Sequence, residues 1–135
     1  MVNLELSMMI ESRLNLAKQY LEDAKMLLQE GRWNSAVGRA YYASYQAMWA
    51  ALGEPVEGNI WRHLAIIKHF VRGYWFLPTH PENIAGLFEH LRLPLRRLYM
   101  ERVRVDYDAA TLNEVSAKNA VQTVEAVLKV IKEGG

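Results

Sequence analysis

Two stretches of the chain carry side chains that could bind an anion, and the first is Gly38-Arg39-Ala40-Tyr41-Tyr42-Ala43-Ser44-Tyr45. It places one arginine and three tyrosines within two helical turns. Arg39, Tyr42 and Gln46 fall on one face of that helix, because residues three or four positions apart are neighbours on a helix surface. A guanidinium group binds phosphate oxygens through charge-assisted hydrogen bonds, so this face is a candidate phosphate-binding surface.

The second stretch contains Arg102, which falls where the apolar stripe of a helix should continue. Leu95 and Leu98 occupy that stripe at helical spacing, and the next position on it is Arg102. A guanidinium at a core-facing position is costly unless a carboxylate pairs with it. Asp106, one turn further on, is the nearest candidate partner. The other carboxylates within reach are Glu101 and Asp108.

Two interpretations of Arg102 follow from this position. In the first, the side chain extends over its own apolar stem and leaves the bundle at the helix end. In the second, it lines a polar pocket where the second and fourth predicted helices meet, with Arg39 and Tyr42 opposite. A ligand carrying phosphate would then bind to the guanidinium groups. The candidate ligand-binding residues are Arg39, Tyr42, Arg96, Arg102, Asp106 and Tyr107.

Arginines are concentrated along the same predicted helix, at positions 92, 96, 97, 102 and 104. Glu101 is the only acidic residue within that span. The ordinary explanation is a solvated helix face whose charge is balanced by acidic residues on neighbouring helices. The alternative is a strip that binds the phosphates of RNA or of a nucleotide.

Five amphipathic helices are expected to position these side chains. Apolar residues recur at helical spacing in five segments, and no useful length of chain alternates with period two, so no sheet is predicted. The predicted helices run from Ser7 to Glu30, from the N-cap Asn34 to Leu52, from Asn59 to Tyr74–Phe76, from Pro81 to about Val105, and from Ser116 onward.

Further local features are expected within these helices. The third helix should bury Ile60, Leu64, Ile67 and Val71. Pro94 should kink or briefly break the fourth helix near residues 90–94. An extended or turn-like segment should follow it at residues 106–108. The fifth helix should begin either at the N-cap Ser116 or at a capping box formed by Thr111 and Glu114.

Composition limits the possible class of protein. The 135 residues suit one helical domain spanning 1–135, and 16 basic against 15 acidic residues create no strong overall field. There is no cysteine, no His-x-x-x-His pair and no Gly-rich phosphate loop, so no metal site and no cofactor is predicted. No apolar run is long enough to span a membrane and residues 1–11 do not look like a signal peptide, which predicts a cytoplasmic protein without a membrane partner.

Two segments resemble the HEPN family of helical domains. Gly31-Arg32-Trp33-Asn34, followed by Arg39-Ala40-Tyr41-Tyr42-Ala43, resembles its second helix, and the run from Arg102 to Asp106-Tyr107-Asp108 resembles the end of its fourth helix. His63 falls where members of the family often have a histidine that opens the third helix. The resemblance implies an all-α, up-and-down four-helix bundle with an additional fifth helix. The chain has more aromatic side chains than one small core should need, four tryptophans among them, and this excess predicts a homodimer through the surfaces of the second and fourth helices.

The resemblance also implies a function, and the absence of one histidine limits which function is expected. Many HEPN proteins are metal-independent ribonucleases that use an arginine and, four to six intervening residues later, a histidine in the fourth helix. No histidine follows Arg102, and the formal match between Arg62 and His69 lies in the third helix. We therefore expect no catalytic residue and a module that binds nucleotide or RNA, as the helical partner of a separate minimal nucleotidyltransferase in a toxin–antitoxin system. The alternatives are a ribonuclease toxin and a dimerisation domain without ligand.

Overall fold

The computed structural model describes residues 4–55, 58–73, 75 and 81–134. Within these ranges the chain forms five helices and no strand, which confirms the all-α prediction. The helices are α1 (Leu4–Gln29), α2 (Trp33–Leu52), α3 (His63–Arg72), α4 (Pro81–Asp108) and α5 (Glu114–Gly134).

Helix α2 lies at the centre of the bundle and packs against each of the other four helices. Small residues occupy its buried face, which lets α1 and α5 approach closely and interlock with it. The alanines of this stripe, all fully buried, are Ala36, Ala40, Ala43 and Ala47. Helices α1 and α5 present alanines of their own to the core, at Ala17, Ala24 and Ala117. The closest helix packing therefore occurs along one side of α2.

The start of α2 differs from the prediction, because the helix begins at Trp33 and Asn34 does not cap it. The Asn34 side chain instead bonds to the loop between α4 and α5. Its Nδ2 donates to the Ala110 carbonyl at 3.0 Å, and its Oδ1 accepts from the Leu112 N–H at 2.8 Å. Asn34 thus satisfies two backbone groups of a distant loop rather than those of its own helix.

The prediction for α3 was wrong at its start and on part of its buried face. The helix begins at His63 rather than Asn59, and Ile60 and Leu64 are 70% and 50% exposed. Ile67 and Val71 are buried as predicted, together with Ile66 and Phe70. The buried face therefore consists of adjacent pairs one turn apart, which turns Leu64 toward solvent. The helix ends at Arg72, where Gly73 takes the left-handed conformation that suits a glycine.

Helix α4 is longer than predicted and contains no break at 90–94. It runs through Pro94 to Asp108, so residues 106–108 are helical rather than extended. Proline removes one backbone hydrogen bond, but Leu91, Leu95 and Leu98 on either side of it are buried. Their packing holds the helix across that lost bond. The helix stops before Ala109, whose φ of 52° leaves the helical region.

Neither predicted cap starts α5. The helix begins at Glu114, and Asn113 Oδ1 accepts a hydrogen bond from the Ser116 N–H at 2.9 Å. Asn113 therefore occupies the N-cap position, and its side chain satisfies a backbone donor in the first turn. Ser116 lies inside the helix.

Replacing Ala43 by leucine should destabilise the fold by roughly 1–3 kcal/mol, because the added side chain overpacks a fully buried position on the stripe. Chemical denaturation measures the change. Ser35→Leu, at an exposed position of the same helix, is the matched control and should leave the free energy of unfolding close to that of the wild type. Equal effects of the two substitutions would contradict the packing of α2.

Candidate functional site

The Arg102 side chain lies where α4 passes α2, and three groups hold it there. Its Nη2 donates to the Tyr42 hydroxyl at 2.8 Å, and its Nε lies 3.0 Å from Asp106 Oδ2. The Nε–H is not directed at that oxygen, so this contact is an ion pair rather than an aligned hydrogen bond. The guanidinium carbon lies 5.2 Å from the ring centroid of Tyr41. Only 16% of the Arg102 side chain is exposed, which makes its orientation well defined.

Tyr41 and His63 join α2 to α3 beside this arginine. The Tyr41 hydroxyl and His63 Nδ1 share a hydrogen bond. The His63 ring also stacks on Tyr99 of α4, with centroids 5.7 Å apart and planes at 23°. We name the group Tyr41, Tyr42, His63, Tyr99, Arg102 and Asp106 the Arg102 cluster. It brings together side chains from three helices.

Burial controls the protonation of the two groups that share this hydrogen bond. It raises the pKa of Tyr41 well above its usual range, although the nearby Arg102 acts in the opposite direction. Burial, and then the positive charge of Arg102, lower the pKa of His63. At neutral pH Tyr41 is therefore a phenol and His63 a neutral imidazole. His63 Nδ1 is the one hydrogen-bond partner that the described residues offer to the Tyr41 hydroxyl.

A cavity of about 1270 Å³ adjoins the cluster and shares His63 and Tyr99 with it. The segment between α2 and α3 forms much of its wall, and hydrogen bonds hold that segment in place. Trp61 Nε1 donates to the Gly53 carbonyl at 2.8 Å, and the Tyr45 hydroxyl donates to the Trp61 carbonyl. The lining includes the indole of Trp61, the cation Arg62 and no carboxylate from the described residues. The chemistry of the cavity suits a flat, electron-rich or anionic ligand.

The ligand-binding residues predicted from the sequence lie at different distances from Arg102. Arg102 contacts both Tyr42 and Asp106, as described above. Arg39 lies on the far side of Tyr20, its guanidinium carbon 5.5 Å from that ring, and Tyr20 in turn contacts Tyr42. Arg39 therefore reaches Arg102 only through two intervening tyrosine rings.

The two remaining predicted residues lie outside the cluster. Arg96 lines a groove between α3 and α4, and Tyr107 is 78% exposed. A role for any of the six predicted residues in ligand binding stays a prediction.

Sequence reasoning did not select His63, Tyr41 or Tyr99 as site residues. The position of His63 at the start of the third helix was a signal, but only folding shows that this helix end meets Arg102. Tyr41 was hidden among three tyrosines of the same segment. Tyr99 gave no signal, since an aromatic residue between two arginines on a helix fits an ordinary surface position equally well.

Within the described ranges, no group of three or more histidine, aspartate or glutamate side chains could hold a metal ion. No helix in that part of the chain is both long and apolar enough to cross a membrane.

A family model for the HEPN domain matches residues 10–134. The match covers nearly the whole chain, and the helical architecture agrees with it, so the chain belongs to the HEPN domain family. In general terms this membership supports a nucleotide- or RNA-related module, and HEPN domains often dimerise and bind RNA. A search of curated proteins gave no match to the chain.

The lowered pKa of His63 predicts a pH dependence of stability. Below the ordinary imidazole pKa of about 6.5 the unfolded chain takes up a proton that the folded protein resists, so stability falls as the pH drops from there toward the folded pKa. His63→Asn should remove the part of this loss of stability that comes from the His63 imidazole. Urea denaturation between pH 7.5 and 5 compares the slopes, with His90→Asn, at an exposed position, as the control. Parallel curves for wild type and His63→Asn would show that the imidazole is not shielded.

Proposed function

We propose that the chain is an HEPN module that binds a nucleotide or RNA through one phosphate at Arg102 and a base in the adjoining cavity. The observation that carries this proposal is the oriented, largely buried Arg102 side chain beside a cavity that has aromatic walls and no carboxylate from the described residues. Arg102 has five N–H donors. Tyr42 and Asp106 engage Nη2 and Nε, and Nη1 makes no hydrogen bond to the described residues. A phosphate oxygen at that nitrogen would receive a charge-assisted hydrogen bond.

The state of His63 favours binding over catalysis. When Tyr41 donates to Nδ1, the proton of the neutral ring is on Nε2, and that nitrogen is a donor. A donor at the edge of the cavity suits a phosphate oxygen or a base carbonyl. It does not suit the removal of a proton from a ribose hydroxyl.

A module that binds without reacting needs a partner to supply chemistry. We propose that this partner is a separate minimal nucleotidyltransferase and that the bundle presents or orients its substrate in the cytoplasm. The support is the resemblance of the two quoted segments to HEPN proteins, together with the absence of histidine after Arg102. Co-purification from the native host, with identification of the bound protein and nucleotide, tests the pairing.

The second candidate function is a metal-independent endoribonuclease, and His63 is the observation that favours it. In this reaction the ribose 2′-oxygen bonds to the adjacent phosphorus while the bond from phosphorus to the 5′-oxygen breaks. His63 would take the 2′-hydroxyl proton, and the leaving oxygen would be protonated by water. The products would be a 2′,3′-cyclic phosphate and a 5′-hydroxyl. This step requires the other tautomer, in which Nδ1–H donates to Tyr41 and Nε2 accepts.

Arg102→Ala should weaken binding of a nucleoside monophosphate or a short RNA at least about tenfold, since a hydrogen bond to a charged group contributes roughly 1.5–3 kcal/mol. Calorimetric titration measures the affinity. Arg104→Ala removes an equal charge from an exposed position of the same helix and should change it little.

This titration and an RNA-cleavage assay together separate the two candidate functions. Equal affinity of the Arg102→Ala and wild-type proteins for every nucleotide would contradict the proposed phosphate site. Wild-type cleavage of RNA in the presence of EDTA, lost in both Arg102→Ala and His63→Ala, would select the ribonuclease.

We also propose that the chain forms a homodimer through the α2 and α4 surfaces. The tryptophans do not supply an exposed patch, because all four pack against the core. Helix α4 does present exposed apolar side chains every seven residues, at Leu93, Met100 and Tyr107. This spacing places the three side chains on one exposed stripe of the helix.

Sedimentation at micromolar concentration should give about twice the 15.6 kDa chain mass. Met100→Glu should shift the protein to monomer, because it places a charge on the proposed contact surface. Met26→Glu makes the same change at an exposed position of α1 and should leave the dimer intact. A monomeric wild type would rule out this assembly.

A further inference from the structure

A second cavity, of about 400 Å³, lies in the groove between α3 and α4. Three apolar side chains form its floor, at Leu64, Ile67 and Val71. The other described residues that line it are all cationic: Lys68, Arg72, Arg92 and Arg96. Among the described residues, an apolar floor with a cationic border suits a ligand that combines flat apolar groups with repeated negative charge.

The two cavities form one continuous face, because Leu64 lines both of them. The chain has 15 acidic residues, yet none of the described ones lines either cavity. Lys68, Arg72 and Arg96 make no ion pair within the described part of the chain. Although the net charge is near zero, the charge is therefore unevenly distributed, and this face is positive. A positive surface of this kind attracts anions.

The cations of this face extend further than one phosphate can reach. Along α4, Arg92, Arg96, Tyr99 and Arg102 follow one another at spacings of four, three and three residues, which keeps them on one side of the helix. Arg92 and Arg102 are about 15 Å apart along the helix axis. A row of phosphates, rather than a single one, matches cations distributed in this way.

Aromatic rings interrupt the row of cations at the first cavity. Tyr99 and His63 are stacked, and the Trp61 ring lies 5.4 Å from that of His69 at an angle of 55°. Exposed Leu64 lies between these rings and the basic groove. Single-stranded nucleic acids bind to surfaces of this kind, where bases stack on aromatic rings and cations follow the backbone.

We propose that the α3–α4 face binds a single-stranded nucleic acid as a continuous strand. Bases occupy the cavity bordered by Trp61, His63 and Tyr99, one phosphate lies at Arg102, and further phosphates follow the groove past Arg96 to Lys68 and Arg72. The proposal rests on the proposed function, since it uses the same phosphate site at Arg102. It adds that the ligand is a strand and names the path that the strand takes.

The length of the ligand tests this proposal. Fluorescence anisotropy with labelled RNA and DNA oligonucleotides of about 4 to 16 nucleotides should show affinity rising with length, whereas AMP and UMP bind weakly. The Lys68→Ala/Arg72→Ala double variant should bind the longer strands at least about tenfold more weakly near 0.1 M salt. Its plot of log affinity against log salt should be shallower by roughly 1.4, about 0.7 for each lost phosphate contact. Mononucleotide binding should not change.

The matched control is Lys129→Ala/Lys132→Ala, which removes two exposed lysines from α5 and should keep wild-type strand binding. If mononucleotides bind through Arg102 but affinity does not rise with length, the strand is ruled out and the phosphate site stands. Binding of neither strands nor mononucleotides would overturn both proposals. Competition by poly-glutamate as strong as that of an oligonucleotide would show a general anion surface and would also overturn the strand.

Discussion

The alanine stripe of α2 is the constraint on which the rest of the structure depends. Because these positions carry a single methyl group, α1 and α5 pack close to α2, and the other sides of α2 remain available to α3 and α4. The tyrosines that follow the alanines in sequence are then presented to those two helices. A larger side chain at Ala40 or Ala43 would push α1 or α5 away from α2 and loosen the bundle on which the other two helices pack.

The buried hydroxyl of Tyr41 links the packing to the chemistry of the site. A buried hydroxyl without a partner costs about 1–3 kcal/mol, so the first residue of α3 is held where its ring nitrogen meets this hydroxyl. The same environment keeps His63 neutral, since burial and the charge of Arg102 both lower its pKa. His63, the histidine that lies beside Arg102, is therefore a structural partner of Tyr41, and this role supports the proposal of binding rather than catalysis.

The sequence predicted the features that depend on local spacing. Five helices and the pairing of Arg102 with Asp106 one turn away both follow from helical periodicity. The prediction failed where distant contacts decide the structure. Leu64 is exposed because α3 packs through a different face, and α4 continues through Pro94 because leucines on both sides of it are buried. Cap residues were misassigned for the same reason, since Asn34 bonds to a loop far along the chain.

The ion pair between Arg102 and Asp106 explains why tight binding of a strand would need more cations than Arg102 alone. An arginine side chain that is only 16% exposed would be costly in an empty site without a counter-ion, and the carboxylate offsets part of that cost. The same carboxylate lies near the position of an incoming phosphate and repels it, which limits the affinity of this one site. Lys68, Arg72 and Arg96 lack such partners in the described chain, so each retains its attraction for an anion. Phosphate contacts along the groove would therefore compensate for the affinity that the Asp106 carboxylate removes at Arg102. This added affinity would be lost as salt screens the exposed cations.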